Sequence, residues 1–311
     1  MRAFIVPEFG DPGHVGDRPT PTAESGQLLI RVHAAGVNAM DPVFRGGYYK
    51  DYMEHRLPLT PGIDYAGTVE AIGPDVDGFA VGDEVVGEVG KAFAGEGSFA
   101  EYVTVAASLA VPRPDGVSAV EAAALPRAGG TALAAVDALE TKPGDTVAII
   151  GAGGGVGSFV TQLAAARGLC VIAVTHGGAA DYVRSLGAAE VVDRSAEALP
   201  DALRALAPGG LDGLIDLFHD APALAPLAAL VRPGGRVVSP IAMGIDQALE
   251  GGPVSGHLVA AAADRVAELT ALAASGALTV PVEVVPLEEA SDALDRVASK
   301  QVRGKIVLQV D

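Results

Sequence analysis

A run of glycines in the middle of the chain has the residue types and the spacing of an anion-binding turn. From Gly151 to Gly157 the sequence reads "GAGGGVG", between the apolar run "DTVAII" and the amphipathic run "SFVTQLAAARG". The first run predicts a strand buried on both faces, and the second predicts a helix that Gly168 ends. Main-chain N–H groups at such a strand-to-helix turn, with the positive end of the helix, bind an anion without any charged side chain.

The spacing of Gly151, Gly154 and Gly157 points to a dinucleotide as that anion. One glycine allows the tight turn, one lets the main chain approach a pyrophosphate, and one lets the helix pack closely on the strand. Another apolar run, "CVIAVT", completes a strand–helix–strand unit. An ordinary tight turn is the alternative interpretation. The predicted cofactor contacts of the turn are Gly151, Gly153, Gly154, Gly155, Val156 and Gly157.

The residues that follow this second strand favour NADPH over NADH. Units that bind NADH usually have a carboxylate there, which accepts hydrogen bonds from the ribose hydroxyls. Here the strand end reads "VTHGG", and no carboxylate follows until Asp181. We therefore predict that Thr175, His176 and Arg194 bind the 2′-phosphate of NADPH. For His176 the alternative is a solvated position in a loop.

The composition argues against several classes of function. The 311 residues carry a formal net charge of −18, and so acidic a surface repels nucleic acid and anionic lipid. The single cysteine, Cys170, excludes an intrachain disulfide and a cysteine-rich zinc site. No apolar run has the length of a membrane span, and the first residues lack the pattern of a signal peptide. We expect a cytoplasmic protein with no nucleic-acid and no membrane partner.

The pattern of predicted secondary structure changes near residue 118. Before it, short β-like runs such as "RAFIV" and "YAGTVEAIG" are separated by turn residues, which predicts a small barrel or sandwich. After it, Ala-rich helical runs alternate with short apolar strands, which predicts a parallel sheet. The tail returns to strand, helix and strand. The predicted domains are 1–118 with 277–311, and 119–276.

Seven segments spread over nearly the whole chain resemble one protein family. They are "AAGVNAMDPVFRGGYY", "TPGIDYAGTVEAIGPDVDGFAVGDEVVG", "AAALPRAGGTALAAV", "GAGGGVGS", "VRSLGAAEVVD", "RPGGRVVS" and "RGKIVL". In this order they resemble the medium-chain dehydrogenase/reductase superfamily, and within it the zinc-independent quinone oxidoreductase branch. The resemblance implies an α/β fold: a GroES-like, β-barrel-type catalytic domain and a Rossmann domain with a doubly wound parallel sheet. It also implies a homodimer.

Two positions separate the sequence from the zinc-dependent members of that superfamily. Those enzymes have a Cys in the segment that matches "GVNAMD" and a His in a Gly-His-Glu stretch. The matching residues here are Asn38 and Ile63, and Ile63 has no lone pair to offer a metal. With the soft ligands missing, the sequence offers no candidates for a tetrahedral zinc site, and we predict no metal.

The resemblance implies hydride transfer to a quinone or to an α,β-unsaturated carbonyl. For this chemistry Asn38, Tyr48 and Asp41 are the candidate catalytic residues. Asn38 would orient the ribose–nicotinamide end of the cofactor or the substrate, and the phenol of Tyr48, or of the adjacent Tyr49, would donate to the carbonyl oxygen. Asp41 would fix Asn38 or a loop. The alternatives are a turn residue for Asn38, packing residues for the tyrosines and a helix cap for Asp41.

In the second domain the resemblance carries Thr131, after "LPRAGG", over as a cofactor contact. Ser239 and Pro240 end the strand "GRVVS" at the carboxyl edge of the sheet, where ligands bind, and we expect their backbone to line the nicotinamide side. His219 is a weak active-site candidate, because a loop histidine without an evident partner is usually polar surface. Lys305, before the last strand, would lie near the cleft if the tail rejoins the barrel, but the default expectation is a solvated side chain.

The function that these observations favour is an NADPH-dependent reductase of a small quinone or enone, working without zinc. One alternative is an enoyl reductase acting on acyl thioesters, which differs only in its pocket. A protein that binds NADPH without catalysis is the other, since a fold alone does not establish a function. The physiological substrate and the proton donor cannot be read from the sequence.

Overall fold

Strands dominate one part of the chain, and strands alternate with helices in another, which confirms the predicted α/β class. The computed structural model describes residues 1–195, 198–300 and 302–311. The chain divides into a first unit, Met1–Arg127 with Ala263–Asp311, and a second unit, Ala128–Ala262.

The elements are numbered along the chain. The strands are β1 (Arg2–Ile5), β2 (His14–Asp17), β3 (Gln27–Gly36), β4 (His55–Thr60), β5 (Asp64–Ile72), β6 (Glu84–Glu88), β7 (Ala94–Glu96), β8 (Tyr102–Ala106), β9 (Ala110–Pro112), β10 (Thr146–Ile150), β11 (Cys170–Thr175), β12 (Glu190–Asp193), β13 (Leu211–Asp216), β14 (Val231–Ser239), β15 (Ser255–Leu258), β16 (Val282–Pro286) and β17 (Lys305–Gln309). The α-helices are α1 (Met40–Arg45), α2 (Ala119–Ala123), α3 (Pro126–Ala138), α4 (Gly155–Ala166), α5 (Ala180–Ser185), α6 (Leu199–Leu206), α7 (Ala221–Leu224), α8 (Ile245–Ala248), α9 (Val266–Ala274) and α10 (Ala290–Ala298).

The main sheet of the first unit joins the two ends of the chain. Its strand order is β16-β17-β3-β5-β6-β9, and β8 also pairs with β3. The pairs are antiparallel, except that β16 and β17 run parallel. Strand β17 lies antiparallel to β3, with Leu308 opposite Ala35. The tail of the chain therefore supplies part of the sheet that the first residues begin.

Both faces of this sheet are buried, which explains why its strands are so apolar. In β5, Tyr65 packs into one core and its neighbour Ala66 into another, because successive side chains of a strand point to opposite faces. In β6, Val85 and Val86 divide in the same way. Residues two apart share a face, so Asp64 continues the buried face of Ala66.

The sheet of the second unit has the reversal that creates a ligand site in doubly wound folds. Its strands are all parallel, in the order β12-β11-β10-β13-β14-β15. From β10 the chain moves outward to β11 and β12, then returns to β13 on the other side of β10. At such a reversal the loops after the two central strands diverge, and ligands bind in the crevice at their carboxyl ends.

In the described part of the chain, we find no helix with the length and apolar character needed to cross a lipid bilayer.

Candidate functional site

The glycine turn connects β10 to α4 at the carboxyl edge of the parallel sheet. Gly151 has a φ angle of +87°, a conformation that side-chain-bearing residues rarely adopt. A Cβ atom at Gly157 would lie 2.1 Å from the carbonyl oxygen of Gly151 and 2.7 Å from the Cα atom of Ala152. The start of the helix therefore packs directly against the turn, and only glycine fits there.

Gly154 has a different environment, open to a ligand. A Cβ at Gly154 would have one neighbour within 4 Å, the Gly151 carbonyl oxygen at 3.5 Å. Gly154 is also the N-cap of α4, and it offers no side chain to satisfy the first-turn N–H groups of the helix. These main-chain donors and the positive end of a twelve-residue helix fit the pyrophosphate of a dinucleotide.

The end of β11 closes one side of the turn. Thr175 is buried, and its Oγ1 would lie 2.7 Å from a Cβ at Gly153, so the two segments are in close contact. His176 is exposed. Asp181 lies in the first turn of α5, where its carboxylate pairs with Arg184 at 3.3 Å.

Arg194 bridges this edge of the sheet. Its main-chain N–H donates to the carbonyl oxygen of Thr175 at 2.9 Å, and its guanidinium carbon lies 4.3 Å from the ring centroid of Phe218. Arg194 follows β12 and Phe218 follows β13, with β11 and β10 between them. The stacking holds this cation at the carboxyl edge of the sheet, and a guanidinium is a side chain that binds phosphates.

A buried aspartate organises the loop after β13. Asp216 is fully buried, and its Oδ1 accepts hydrogen bonds from the main-chain N–H groups of Phe218 and His219, both at 2.7 Å. Its Oδ2 lies 2.7 Å from Nδ1 of His219. The expectation that His219 has no partner was therefore wrong, and the pair holds the imidazole at the reversal point of the sheet.

The three remaining predicted cofactor contacts lie in the second unit. Thr131 is buried within α3. Ser239 ends β14, and its Oγ accepts from the main-chain N–H groups of Ile241 and Ala242 at 3.2 and 3.0 Å. Pro240 follows it at the carboxyl edge. The Ser239 hydroxyl thus shapes its own loop.

In the first unit, Asn38 is the centre of a buried polar cluster. Its Nδ2 donates to Oδ2 of Asp64 at 2.9 Å and to the carbonyl oxygen of Gly36 at 3.3 Å. Its Oδ1 accepts from Nζ of Lys305 at 2.5 Å, and the same Nζ donates to the Val37 carbonyl oxygen at 2.6 Å. Lys305 is only 3% exposed, so the expectation of a solvated side chain was wrong.

Asp41 fixes the loop that carries Asn38. Its Oδ2 accepts from the main-chain N–H of Asn38 at 2.7 Å, and its Oδ1 accepts from that of Gly62 at 3.2 Å. Both oxygens are thus occupied by main-chain donors. Complete burial raises the pKa of the Asp41 carboxyl to about 7.

Two further carboxyls, those of Asp64 and Glu88, and one cation, the guanidinium of Arg127, complete the cluster. Asp64 and Glu88 face each other across β5 and β6. The main-chain N–H of Arg127 donates to Oδ1 of Asp64 at 3.2 Å, and its guanidinium donates to Oε2 of Glu88 at 2.7 Å. Burial raises the pKa of Asp64, and burial together with the Asp64 charge raises that of Glu88 to about 7. Burial also lowers the pKa of Lys305, against the effect of the carboxylates.

A cavity of about 130 Å³ opens beside this cluster, lined only by residues of the first unit. The charged residues of its wall are Glu88 with Arg127 and Lys91 with Glu96, which form two ion pairs. Its apolar lining includes Phe44, Met53, Ile63 and Phe93. Tyr48 and Tyr49 are not among the lining residues, and the Tyr48 side chain is 77% exposed.

Comparison with known proteins identifies the family. Residues 24–115 match the alcohol dehydrogenase GroES-like domain, and residues 186–308 match the zinc-binding dehydrogenase domain. Over the whole of both chains, the protein is 31% identical to an alcohol dehydrogenase of Geobacillus stearothermophilus. It superposes on a quinone oxidoreductase of Coxiella burnetii with a TM-score of 0.89 and 29% identity, covering 100% of this chain and 99% of that one.

The chain belongs to the quinone oxidoreductase-like branch of the medium-chain dehydrogenase/reductase superfamily. The predicted family and the predicted pair of a GroES-like and a Rossmann domain are thereby confirmed. The relatives support an oxidoreductase. A mycobacterial protein crystallised with NADPH is also similar, with a TM-score of 0.86, 31% identity and complete coverage of both chains.

The donor set of this medium-chain dehydrogenase/reductase does not fit a catalytic zinc. Asn38 is the predicted counterpart of the zinc-ligand cysteine, and both ends of its carboxamide are engaged, one by Asp64 and one by the Lys305 ammonium. An ammonium 2.5 Å from the candidate ligand atom would repel a metal cation. Within residues 1–195, 198–300 and 302–311, no three His, Cys, Asp or Glu side chains are grouped so that they could hold a metal.

Three buried charged residues were not predicted from the sequence as site residues: Glu88, Lys305 and Asp216. Lys305 and Asn38 are far apart in the chain, so no local spacing relates them. Glu88 follows apolar residues in "GDEVVGE", a pattern equally compatible with an exposed strand end. Only the Asp216–His219 pair had a sequence signal, its three-residue spacing at the end of a predicted strand.

Proposed function

We propose that the chain reduces a small quinone or α,β-unsaturated carbonyl with NADPH, without zinc. The observation that carries the proposal is the glycine turn at the sheet reversal, where Gly157 leaves no space for a side chain and Gly154 leaves an open main-chain surface. When bound, the nicotinamide supplies a hydride to the acceptor. The residues of this turn, Gly151, Gly153, Gly154, Gly155, Val156 and Gly157, would hold the pyrophosphate.

Two features support NADPH as the reduced cofactor. The strand that would meet the adenosine ribose ends at Thr175 and is followed by His176, and neither residue is the carboxylate that units binding NADH usually have there. Arg194 holds a guanidinium at the same edge, on the ring of Phe218. The mycobacterial relative of known structure, which is complexed with NADPH, agrees with this preference.

The donor set in the first unit supports a reaction without a metal. Asn38 and Lys305 form a direct hydrogen bond at the position where a zinc ligand would be needed. The acceptor would then be polarised by protein groups, and the cavity of this unit has Glu88, Arg127, Lys91 and Glu96 on its wall. The apolar part of that wall, which includes Phe44, Met53, Ile63 and Phe93, suits a small neutral carbonyl compound.

The proposal is tested by following NADPH oxidation with a benzoquinone, an alkyl enone, a crotonyl thioester and a simple aldehyde, and by repeating the series with NADH. We expect turnover with the quinone or the enone, and a preference for NADPH. Turnover only with the thioester would instead favour an enoyl reductase. Alcohol oxidation that depends on added zinc would contradict the proposal.

Replacing Arg194 by Ala is expected to weaken NADPH binding while leaving NADH binding almost unchanged. A charge-assisted hydrogen bond contributes about 1.5–3 kcal/mol, so the dissociation constant for NADPH should rise about 10- to 100-fold. Fluorescence titration of both reduced cofactors measures this. Arg184→Ala is the matched control, because Arg184 is an exposed arginine of the same unit that pairs with Asp181. Equal losses for both cofactors would exclude Arg194 as a 2′-phosphate ligand.

A further inference from the structure

The buried cluster of the first unit contains more negative than positive groups. Its carboxyls are Asp41, Asp64 and Glu88, and its cations are Lys305 and Arg127. If all five were ionised, one negative charge would be left in a buried environment, which is unfavourable unless a proton neutralises it. We therefore expect the three carboxyls of the cluster to share at least one bound proton near neutral pH.

Hydrogen bonding determines where that proton resides. Both oxygens of Asp41 accept from main-chain N–H groups. Asp64 accepts from the Arg127 main chain on Oδ1 and from Asn38 on Oδ2. A proton on either residue would displace one of these donors. Glu88 is different, because Oε2 accepts from Arg127 while Oε1 is buried and has no hydrogen-bond partner among the described residues.

Glu88 also borders the cavity. It is 5% exposed, and it lines the wall together with Ile63 and Arg127. The groups that act on its charge are Asp64 from β5, Arg127 from α3 and Lys305 from β17. The raised pKa, about 7, keeps a substantial protonated fraction at neutral pH, and that is the range in which a general acid is most effective.

We propose that Glu88 is the proton donor of the reaction: it holds a proton on Oε1 and delivers it to the carbonyl oxygen of an acceptor bound in this cavity. The inference rests on the proposed function, since it needs a carbonyl acceptor. The O–H bond of Glu88 breaks and its electron pair stays on the carboxylate. A new O–H bond forms on the acceptor, which has gained two electrons and one hydrogen as hydride from NADPH. An enone then leaves as the enol of the saturated ketone, and a quinone leaves as the hydroquinone. Water restores the proton on Glu88.

The test compares Glu88→Gln with Glu84→Gln, an exposed carboxylate on the same strand that pairs with Arg113. In Glu88→Gln we expect kcat to fall about 100-fold or more, and the wild-type decline in kcat above pH 7 to disappear. Glu84→Gln should keep both the rate and the pH profile. Glu88→Asp, which retains a carboxyl group, should recover part of the loss and thereby show that the Gln variant is not merely misfolded.

A second readout does not need turnover. Infrared spectra of the wild-type protein without cofactor, recorded below and above pH 7, should contain the C=O band of a protonated carboxyl that titrates near neutrality. Asp41, whose pKa is also about 7, contributes to this band, so the band should lose the Glu88 part of its intensity in Glu88→Gln and keep its full intensity in Glu84→Gln.

The two proposals fail in different ways. If the wild-type protein reduces an acceptor and Glu88→Gln keeps its rate and pH profile, or if Tyr48→Phe alone removes the decline, Glu88 is not the donor. If the neutral-range band keeps its full intensity in Glu88→Gln, Glu88 holds none of the protons that titrate in this range and the inference is wrong. If the wild-type protein reduces none of the acceptors, the proposed function fails and the delivery step fails with it.

Discussion

Replacing Gly157 by Ala is expected to abolish measurable NADPH binding and to destabilise the second unit. The added Cβ would lie 2.1 Å from the Gly151 carbonyl oxygen, and because that atom belongs to the main chain, the whole turn or helix α4 must move. Overpacking of this kind typically costs about 1–3 kcal/mol. A displaced helix end no longer aims its N–H groups at the pyrophosphate, so affinity should fall by at least about 100-fold, equivalent to about 2.7 kcal/mol.

Gly154→Ala is the matched control for this prediction. Its Cβ would meet only the Gly151 carbonyl oxygen, at an ordinary 3.5 Å, so the free energy of unfolding should change little. NADPH affinity should nevertheless fall, because a methyl group then occupies the open face of the turn. Urea denaturation and fluorescence titration separate the two effects. A Gly154→Ala variant with wild-type affinity would show that the cofactor does not approach this face.

Replacing Lys305 by Met is expected to be the most destabilising change in the first unit. The substitution removes the donor to Asn38 Oδ1 and to the Val37 carbonyl oxygen, and it leaves the buried carboxyls with Arg127 as the only cation of the cluster. Breaking a buried charge pair by removing one partner costs about 3–5 kcal/mol. Denaturation at pH 8 measures this loss, with the exposed Lys50→Met as control. The double variant with Asp64→Asn should recover part of it.

The sign of the pH dependence follows from the raised carboxyl pKa values. The folded-state pKa values of Asp41 and Glu88 are about 7, above their ordinary values of 3.8 and 4.5. Between these limits the folded state binds more protons than the unfolded state, so the unfolding free energy falls as pH rises from about 4 to about 7. The penalty for Lys305→Met should accordingly be smaller at pH 5 than at pH 8. A penalty that grows on acidification would contradict this account.

Local patterns were sufficient for the dinucleotide-binding unit. Three adjacent segments each predict their own conformation. The apolar content of "DTVAII" predicts a strand, the glycines predict a tight turn, and the helical spacing of apolar residues in "SFVTQLAAARG" predicts a helix. The positive φ of Gly151 and the tight packing at Gly157 are properties of one short segment. Such features can be read from the sequence because the interactions that fix them span only a few residues.

The polar cluster is different, because long-range strand pairing creates it. Lys305 becomes buried when β17 pairs with β3, a contact between residues more than 260 positions apart. Glu88 becomes buried because β5 brings Asp64 opposite it and Arg127 approaches from α3. The residues next to Lys305 and Glu88 in the sequence do not indicate that either side chain becomes buried. The expectation of a solvated Lys305 was therefore reasonable by residue type, but wrong in this fold.

The pairing of β17 with β3 also constrains how the protein is made on the ribosome. Residues 128–262 emerge as one continuous stretch and can fold while translation continues. The N-terminal strands are translated long before this. Until Lys305 leaves the exit tunnel, however, β3 lacks its pairing with β17 and Asp64 lacks the positive charge of Lys305. We therefore expect the part of the chain that is synthesised first to complete its fold last.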